Sequence, residues 1–140
     1  MITEIILYRN SQLPLLGSNP GNSWNWPGVA FSAATSQLYG QYCKSVQMAR
    51  WVLAWSPTTT ISPTGVRLIY ADSGPTNVEV FSNASFLRTN LNTPVVDAAD
   101  ITEQFNYFIE NKCHKTLGIQ TVGNGSNGCK IYSSIIEVIW

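Results

Sequence analysis

The chain has 140 residues, of which 44% are hydrophobic and 11% charged, and its 8 basic side chains balance its 8 acidic ones. This length suits one domain with a core of its own. The zero formal charge excludes an electrostatic attraction to nucleic acid or to an anionic membrane, so neither is an expected partner, and it favours self-association. No apolar run approaches the about 18 residues that would span a bilayer.

Short runs of β-branched and aromatic residues, separated by Gly, Pro and Asn, are typical of strands and turns. The first strand is predicted at Ile2–Tyr8. We expect residues 1–22 to form this strand and an arm, and residues 23–140 to form a β-sandwich domain. Shorter strands are predicted at 28–33 and 38–46. The arm is expected to pack on its own sheet or, by strand addition, on the sheet edge of a neighbour.

The clearest strand is predicted at Gln47–Ser56, because its large apolar residues alternate with other residues. The alternation places three of them on one face: Trp51, Leu53 and Trp55. A hairpin is predicted next, with strands at Gly65–Ala71 and Val78–Ser82 joined by the turn sequence ADSGPTN.

The second half of the chain is also predicted as strands. An irregular connection over residues 82–102 is expected to hold one short strand near Val95 and Val96. Residues 103–112 alternate in hydrophobicity and are predicted as a strand, preceded by at most one helical turn. Further strands are predicted at Lys115–Gly123 and Cys129–Trp140. Seven to nine strands at this spacing indicate an all-β fold, an antiparallel sandwich or barrel.

Side chains suited to catalysis or metal binding are scattered. No two acidic residues are spaced to face one sugar ring, as a glycosidase requires. The single histidine, His114, follows Cys113, and neighbours in a strand point to opposite faces. The three cysteines, Cys43, Cys113 and Cys129, show no CxxC spacing, which predicts free thiols. The acidic stretch 97–100 is expected to serve a turn and a helix start rather than Ca²⁺. We therefore predict no enzyme, no cofactor and no metal.

Two tryptophans, Trp24 and Trp26, lie in the turn-rich sequence NPGNSWNWPG. Three explanations remain open for them. They plug the open end of the protein's own core, they anchor a protein interface, or they stack on a glycan together with Tyr39 and Tyr42.

The stretch from Trp26 to Trp140 resembles a jelly-roll-like β-sandwich module that recurs in virion proteins of tailed bacteriophages. Four segments carry the resemblance: ARWVLAW, TGVRLIYADSGPTNVEVF, KTLGIQTVGNGSNG and IYSSIIEVIW. The second of these has DSGPTN where the module usually has a double glycine. The resemblance implies a single jelly-roll-like sandwich of about eight strands.

Free-standing modules of this kind resemble capsid cement, or decoration, proteins. The resemblance implies a structural protein of the virion, made in the host cytoplasm and placed on the capsid surface, that forms homotrimers and clamps the major capsid protein. Burial of large side chains would then hold the contacts, and the expected interface residues are Leu13, Leu15, Leu16, Trp24, Trp26 and Trp140. The alternative is a carbohydrate-binding module or a receptor-binding tail domain that uses Trp24 and Trp26.

Overall fold

Two antiparallel sheets face each other in the computed structural model, and an α-helix packs against the hydrophobic core between them. The structure describes residues 2–9, 15–16, 45–57, 64–72, 76–89, 93–112, 115–122 and 129–140. The elements are β1 (Ile2–Arg9), β2 (Leu15–Leu16), β3 (Met48–Pro57), β4 (Thr64–Asp72), β5 (Thr76–Arg88), β6 (Val95–Asp100), α1 (Thr102–Asn111), β7 (Thr116–Val122) and β8 (Cys129–Ile139).

The strand order is that of a jelly roll. One sheet has the order β1-β8-β3-β6, with β2 also paired to β8, and the other has the order β5-β4-β7. Strands β1 to β3 belong to the first sheet and β4 and β5 are neighbours in the second, while the connections β3–β4, β5–β6, β6–β7 and β7–β8 cross from sheet to sheet. The all-β sandwich is therefore confirmed. The strands predicted at 28–33 and 38–46 lie outside the described residues, apart from Ser45 and Val46, which precede β3.

The alternation along β3 is confirmed. Trp51, Leu53 and Trp55 are all fully buried in the core between the sheets. The ring of Trp51 stacks on Phe86 of β5, with ring centroids 4.9 Å apart. Its indole N–H donates to the Ser134 hydroxyl at 2.8 Å. A polar atom in the middle of the core thus has a partner, which removes the cost of burying it.

The strand predicted at residues 103–112 is wrong, because this segment is the helix α1. Phe105, Tyr107 and Ile109 do alternate, yet the residues that face the core are Phe105, Phe108 and Ile109. That spacing is the three-to-four-residue repeat of a helix. Tyr107 instead points outward and is 52% exposed.

The irregular connection predicted for residues 82–102 is also wrong in its extent. β5 continues to Arg88, and β6 is a full strand, paired with β3 from Arg50↔Asp100 to Trp55↔Val95. The short strand predicted near Val95 is confirmed but is longer than expected. Val95 and Val96 favour a strand, whereas the alanines have little strand preference of their own, so pairing with β3 extends the strand to Asp100.

Side-chain and backbone hydrogen bonds fix α1 to the region around the start of β3. The N–H of Val46 donates to the Asn106 Oδ1 at 2.7 Å, and the Asn106 Nδ2 donates back to the Val46 carbonyl at 3.2 Å. One turn earlier, the N–H of Ala49 donates to the Thr102 hydroxyl at 3.0 Å. The carboxylate of Asp100 accepts from the backbone N–H of Thr102 at 2.9 Å, which supports the helix start.

An ion pair joins the two sheets where β5 and β6 meet. Arg88 of β5 donates through Nε to Asp97 Oδ2 at 2.8 Å and through Nη2 to Asp97 Oδ1. The indole N–H of Trp55 donates to the same carboxylate at 2.8 Å. The bonds from Arg88 hold the pKa of Asp97 below its ordinary value of 3.8, although burial opposes them. Asp97 therefore bridges the sheets instead of forming part of a turn.

The N-terminal strand belongs to the same sheet as the C-terminal one. β1 pairs with β8 from Ile2↔Ile139 to Arg9↔Ser133, and the backbone of β2 pairs with Lys130 and Cys129. For these residues the pairing is within the chain. The predicted division at residue 22 stays a prediction.

We predict that Phe108→Ala lowers the free energy of unfolding by about 3–5 kcal/mol, because it leaves a cavity under α1. Tyr107→Ala should cost about 1 kcal/mol or less. Urea denaturation of both variants measures the difference. A strand at this position would reverse the ranking, so a larger loss for Tyr107→Ala would contradict the helix.

We predict that Asp97→Asn destabilises the protein at neutral pH by about 1.5–3 kcal/mol, the range for hydrogen bonds to a charged group. The folded-state pKa of Asp97 is lowered, so its contribution is complete above the unfolded pKa and is lost as the pH falls through the folded pKa. Denaturation at a series of pH values should show the two proteins converging only below about pH 4. A difference that stays constant into strong acid would contradict this role.

Candidate functional site

A groove of about 520 Å³ lies between β5 and α1, open to solvent. Its lining residues come from both elements and from β4: Tyr70, Val80, Phe81, Ser82, Asn83, Glu103, Gln104 and Tyr107. The volume falls within the range of about 300–1,000 Å³ that small-molecule sites occupy. The mixture of aromatic rings, amides, a hydroxyl and a carboxylate gives the groove both stacking surface and hydrogen-bonding groups.

An irregular bulge of four residues in β5 forms one wall of the groove. Arg67 of β4 pairs with Ser85 and Ile69 pairs with Val80, so residues 81–84 of β5 lie opposite Leu68 alone. Phe81 and Ala84, at the two ends of the bulge, are buried. The two residues between them are exposed.

Those two exposed residues, Ser82 and Asn83, are turned toward the groove by the backbone of the bulge. Asn83 has a φ of 63°, in the left-handed region. Among residues other than glycine, asparagine is one of the few that adopts this conformation readily. Bulges of this kind commonly redirect side chains at binding sites. The local sequence thus permits a conformation that most residues would resist.

The floor of the groove is the outer part of the aromatic core. Tyr70 meets Phe81 edge to face with ring centroids 5.3 Å apart, and it lies 5.3 Å from Phe108 of α1. Phe81 and Phe108 are themselves 6.0 Å apart. Because these rings are held by core packing, the floor has a fixed shape.

The helix supplies the opposite wall. Tyr107 is half-exposed at the mouth of the groove, and Val80 across from it is 41% exposed. Near them, the side-chain amide of Gln104 donates to the Ser82 hydroxyl at 3.1 Å. This hydrogen bond links the two walls and sets the orientation of the Gln104 amide.

Charges next to the groove are organised around Tyr70. Burial, followed by the nearby carboxylate of Glu79, raises the pKa of Tyr70 above its ordinary value of 10.0, so the hydroxyl stays protonated at neutral pH. The ammonium of Lys112 is 3.9 Å from Glu79. Further along, Lys115 donates to Asp72 at 2.6 Å. Lys112 and Lys115 therefore lie beside carboxylates that are not among the described lining residues of the groove.

The groove as described lacks the parts of a hydrolytic or metal centre. Glu103 is the one carboxylate among the described lining residues, whereas a glycosidase uses two. Within the described part of the chain, no group of three or more His, Cys, Asp or Glu side chains is arranged to hold a metal ion. Cys129 is a buried free thiol. Burial raises its pKa to about 12, so it stays protonated at neutral pH and is not suited to binding a metal ion.

The sequence-predicted site residues lie elsewhere in the chain. Trp24, Trp26, Tyr39, Tyr42 and Leu13 are outside the described residues, as are His114, Cys43 and Cys113. Leu15 and Leu16 form β2, where their backbone pairs with β8. Trp140 is partly buried against the core of its own domain. Their predicted roles in an interface or a glycan site stay predictions.

The groove residues were not predicted from the sequence. The helical spacing of Phe105, Phe108 and Ile109 was the available signal, and with it Tyr107 and Gln104 would have been placed on an outward face. Nothing in the sequence around Asn83 indicates a bulge, because its geometry depends on the pairing with β4.

Comparison with known proteins finds similarity among solved structures. No protein-family model matches the chain, and no curated protein matches it. Among solved structures, the chain is similar to a xylan-binding module, CBM15, with a TM-score of 0.46 and 9% sequence identity over 99% of this chain and 96% of that one. No helix in the described ranges is long and apolar enough to cross a membrane.

Proposed function

We propose that this protein is a non-catalytic carbohydrate-binding module that holds a short oligosaccharide in the groove between β5 and α1. The observation that carries the proposal is the half-exposed ring of Tyr107 beside convergent amide and hydroxyl groups on a rigid floor. The single carboxylate among the lining residues supports binding without hydrolysis.

The chemistry of a sugar ring matches the groove in two ways. One face of a pyranose is a sheet of C–H groups, which packs against the face of an aromatic ring such as Tyr107. Around its edge, hydroxyls donate and accept hydrogen bonds, and Asn83 and Gln104 offer both donors and acceptors. The groove is open to solvent, so the oligosaccharide can extend beyond the sugar unit that the groove holds.

The rigidity of the site supports specific recognition of a polar ligand. The walls belong to a strand and a helix, and the Gln104–Ser82 hydrogen bond joins them. Side chains that are already ordered lose little conformational entropy when a ligand binds. A sugar, which gains modest energy from each hydroxyl, benefits most from such pre-organisation.

A second candidate is the capsid cement function, with contacts at the edge where β5 and β6 meet. Leu87 is 60% exposed and Val96 is 68% exposed. Each directly precedes a member of the Arg88–Asp97 ion pair, so both lie near the same edge of the sandwich, on the outer faces of opposite sheets. With a net charge of zero, these two exposed apolar side chains favour contact with further copies of the chain. The major capsid protein would be the further partner.

We predict that Tyr107→Ala weakens oligosaccharide binding by about tenfold or more, because burying an aromatic side chain is worth about 1.5–3 kcal/mol. Isothermal titration against a panel of neutral α- and β-linked tetrasaccharides measures the loss. Tyr132→Ala on β8 is the matched control, since it removes a tyrosine outside the groove and should leave binding unchanged. Equal binding by the wild type and Tyr107→Ala, with both proteins folded, would overturn this site.

We predict for the second candidate that the purified chain forms an oligomer, and that the double variant L87E/V96E converts it into a monomer by placing like charges at the contact. Light scattering coupled to size-exclusion chromatography gives the mass of each. The control E110Q changes an exposed residue away from this edge and should keep the wild-type mass. A monomeric wild type at high concentration would remove the support for this contact.

A further inference from the structure

We infer that the groove selects its oligosaccharide by charge, accepting neutral and amino sugars and rejecting uronic acids, and that Glu103 is the residue that sets this preference. The inference deepens the proposed carbohydrate binding and rests on it. Glu103 lines the groove from the first turn of α1, and its carboxylate is exposed to whatever the groove holds.

Three cations of the described structure are paired with carboxylates other than Glu103. Lys112 lies beside Glu79 and Lys115 is hydrogen-bonded to Asp72, while Arg88 is held by Asp97. No Lys or Arg is among the described residues that line the groove. A carboxylate on the ligand would therefore meet Glu103 without a compensating positive charge.

The same carboxylate favours other ligands. It accepts hydrogen bonds from the hydroxyls of a neutral sugar, and it attracts the ammonium group of an amino sugar. The ring of Tyr107 adds to the attraction for a cation, because the face of an aromatic ring carries negative potential. Glu103 and Tyr107 lie one helical turn apart on α1, so both reach one ligand.

Charge should change affinity by a measurable factor. Two like charges about 4 Å apart in water already repel enough to reduce binding about fivefold, and the effect grows where the surroundings are less polar. Salt screens this repulsion. The preference should therefore be largest at low ionic strength and should narrow as salt is added.

The experiment compares ligands that share a backbone and differ in charge, using the full chain. The first set is β-1,4-linked: cellotetraose, a tetramer of glucuronic acid and a tetramer of glucosamine. The second set is α-1,4-linked tetragalacturonate and its neutral methyl ester. Titrations at about pH 6 keep the uronic acids ionised and the amines protonated. The variants are Glu103→Gln, which keeps shape and hydrogen bonding, and Glu110→Gln, which makes the same charge change about 10 Å further along α1.

In the wild type and in Glu110→Gln, we expect each neutral ligand to bind at least about fivefold more tightly than its acidic counterpart, with the difference shrinking at high salt. In Glu103→Gln, acidic and neutral ligands should bind within about twofold of each other. Retained discrimination in Glu103→Gln, or tighter binding of the acids by the wild type, would overturn the role of Glu103 while leaving carbohydrate binding in place. Absence of binding to all five ligands would overturn both proposals.

Discussion

The groove depends on one packing interaction, the burial of the apolar face of α1 against the aromatic core. Phe105, Phe108 and Ile109 are removed from water by this contact, and each is worth about 1.5–3 kcal/mol. The hydrogen bonds of Asn106 and Thr102 to the chain around the start of β3 fix where the helix lies. Because the opposite face of the same helix forms a wall of the groove, the forces that stabilise the fold also determine the width of the site.

β5 serves two purposes that a regular strand could not combine. Its second half closes the sandwich, through the stacking of Phe86 on Trp51 and the pairing of Arg88 with Asp97. Its first half forms the rim of the groove. The bulge at residues 81–84 separates the two halves, so each can adopt the register that its own contacts require. The left-handed backbone of Asn83 is the local cost of that separation.

The sequence was informative where hydrophobic residues repeat without ambiguity. Trp51, Leu53 and Trp55 alternate over a long run that no helix would explain, and all three are buried. In α1 the pattern was ambiguous, since Phe105 and Ile109 are four residues apart and fit both a strand and a helix. Phe108 decides between them, and only the packed structure shows that it faces inward while Tyr107 faces outward. The same ambiguity affects the site, because three of its eight described lining residues come from the helix.

Features that depend on pairing between distant segments could not be read from the sequence at all. β6 is longer than its two valines indicate, because its alanines have weak strand preference and become strand residues through their alignment with β3. The same holds for Asp97, which appeared to be a turn residue and instead joins two sheets through Arg88 and Trp55. A carboxylate that is correctly placed in three dimensions has no local signature. For this reason the spacing of acidic residues along the chain does not show which carboxylates meet other side chains in the folded protein.

The use of charge in this protein links its stability to its proposed selectivity. Only 11% of the residues are charged, and within the described part of the chain most ion pairs hold structure: Arg50–Glu137 between neighbouring strands, Arg88–Asp97 between sheets, and Lys115–Asp72 near the end of β4. The two opposite charges of an ion pair largely cancel each other's electric field at a distance. Glu103 belongs to none of the ion pairs found among the described residues, so its field extends into the groove. In a molecule with few charges, one such carboxylate is enough to set the sign of the potential that a ligand meets.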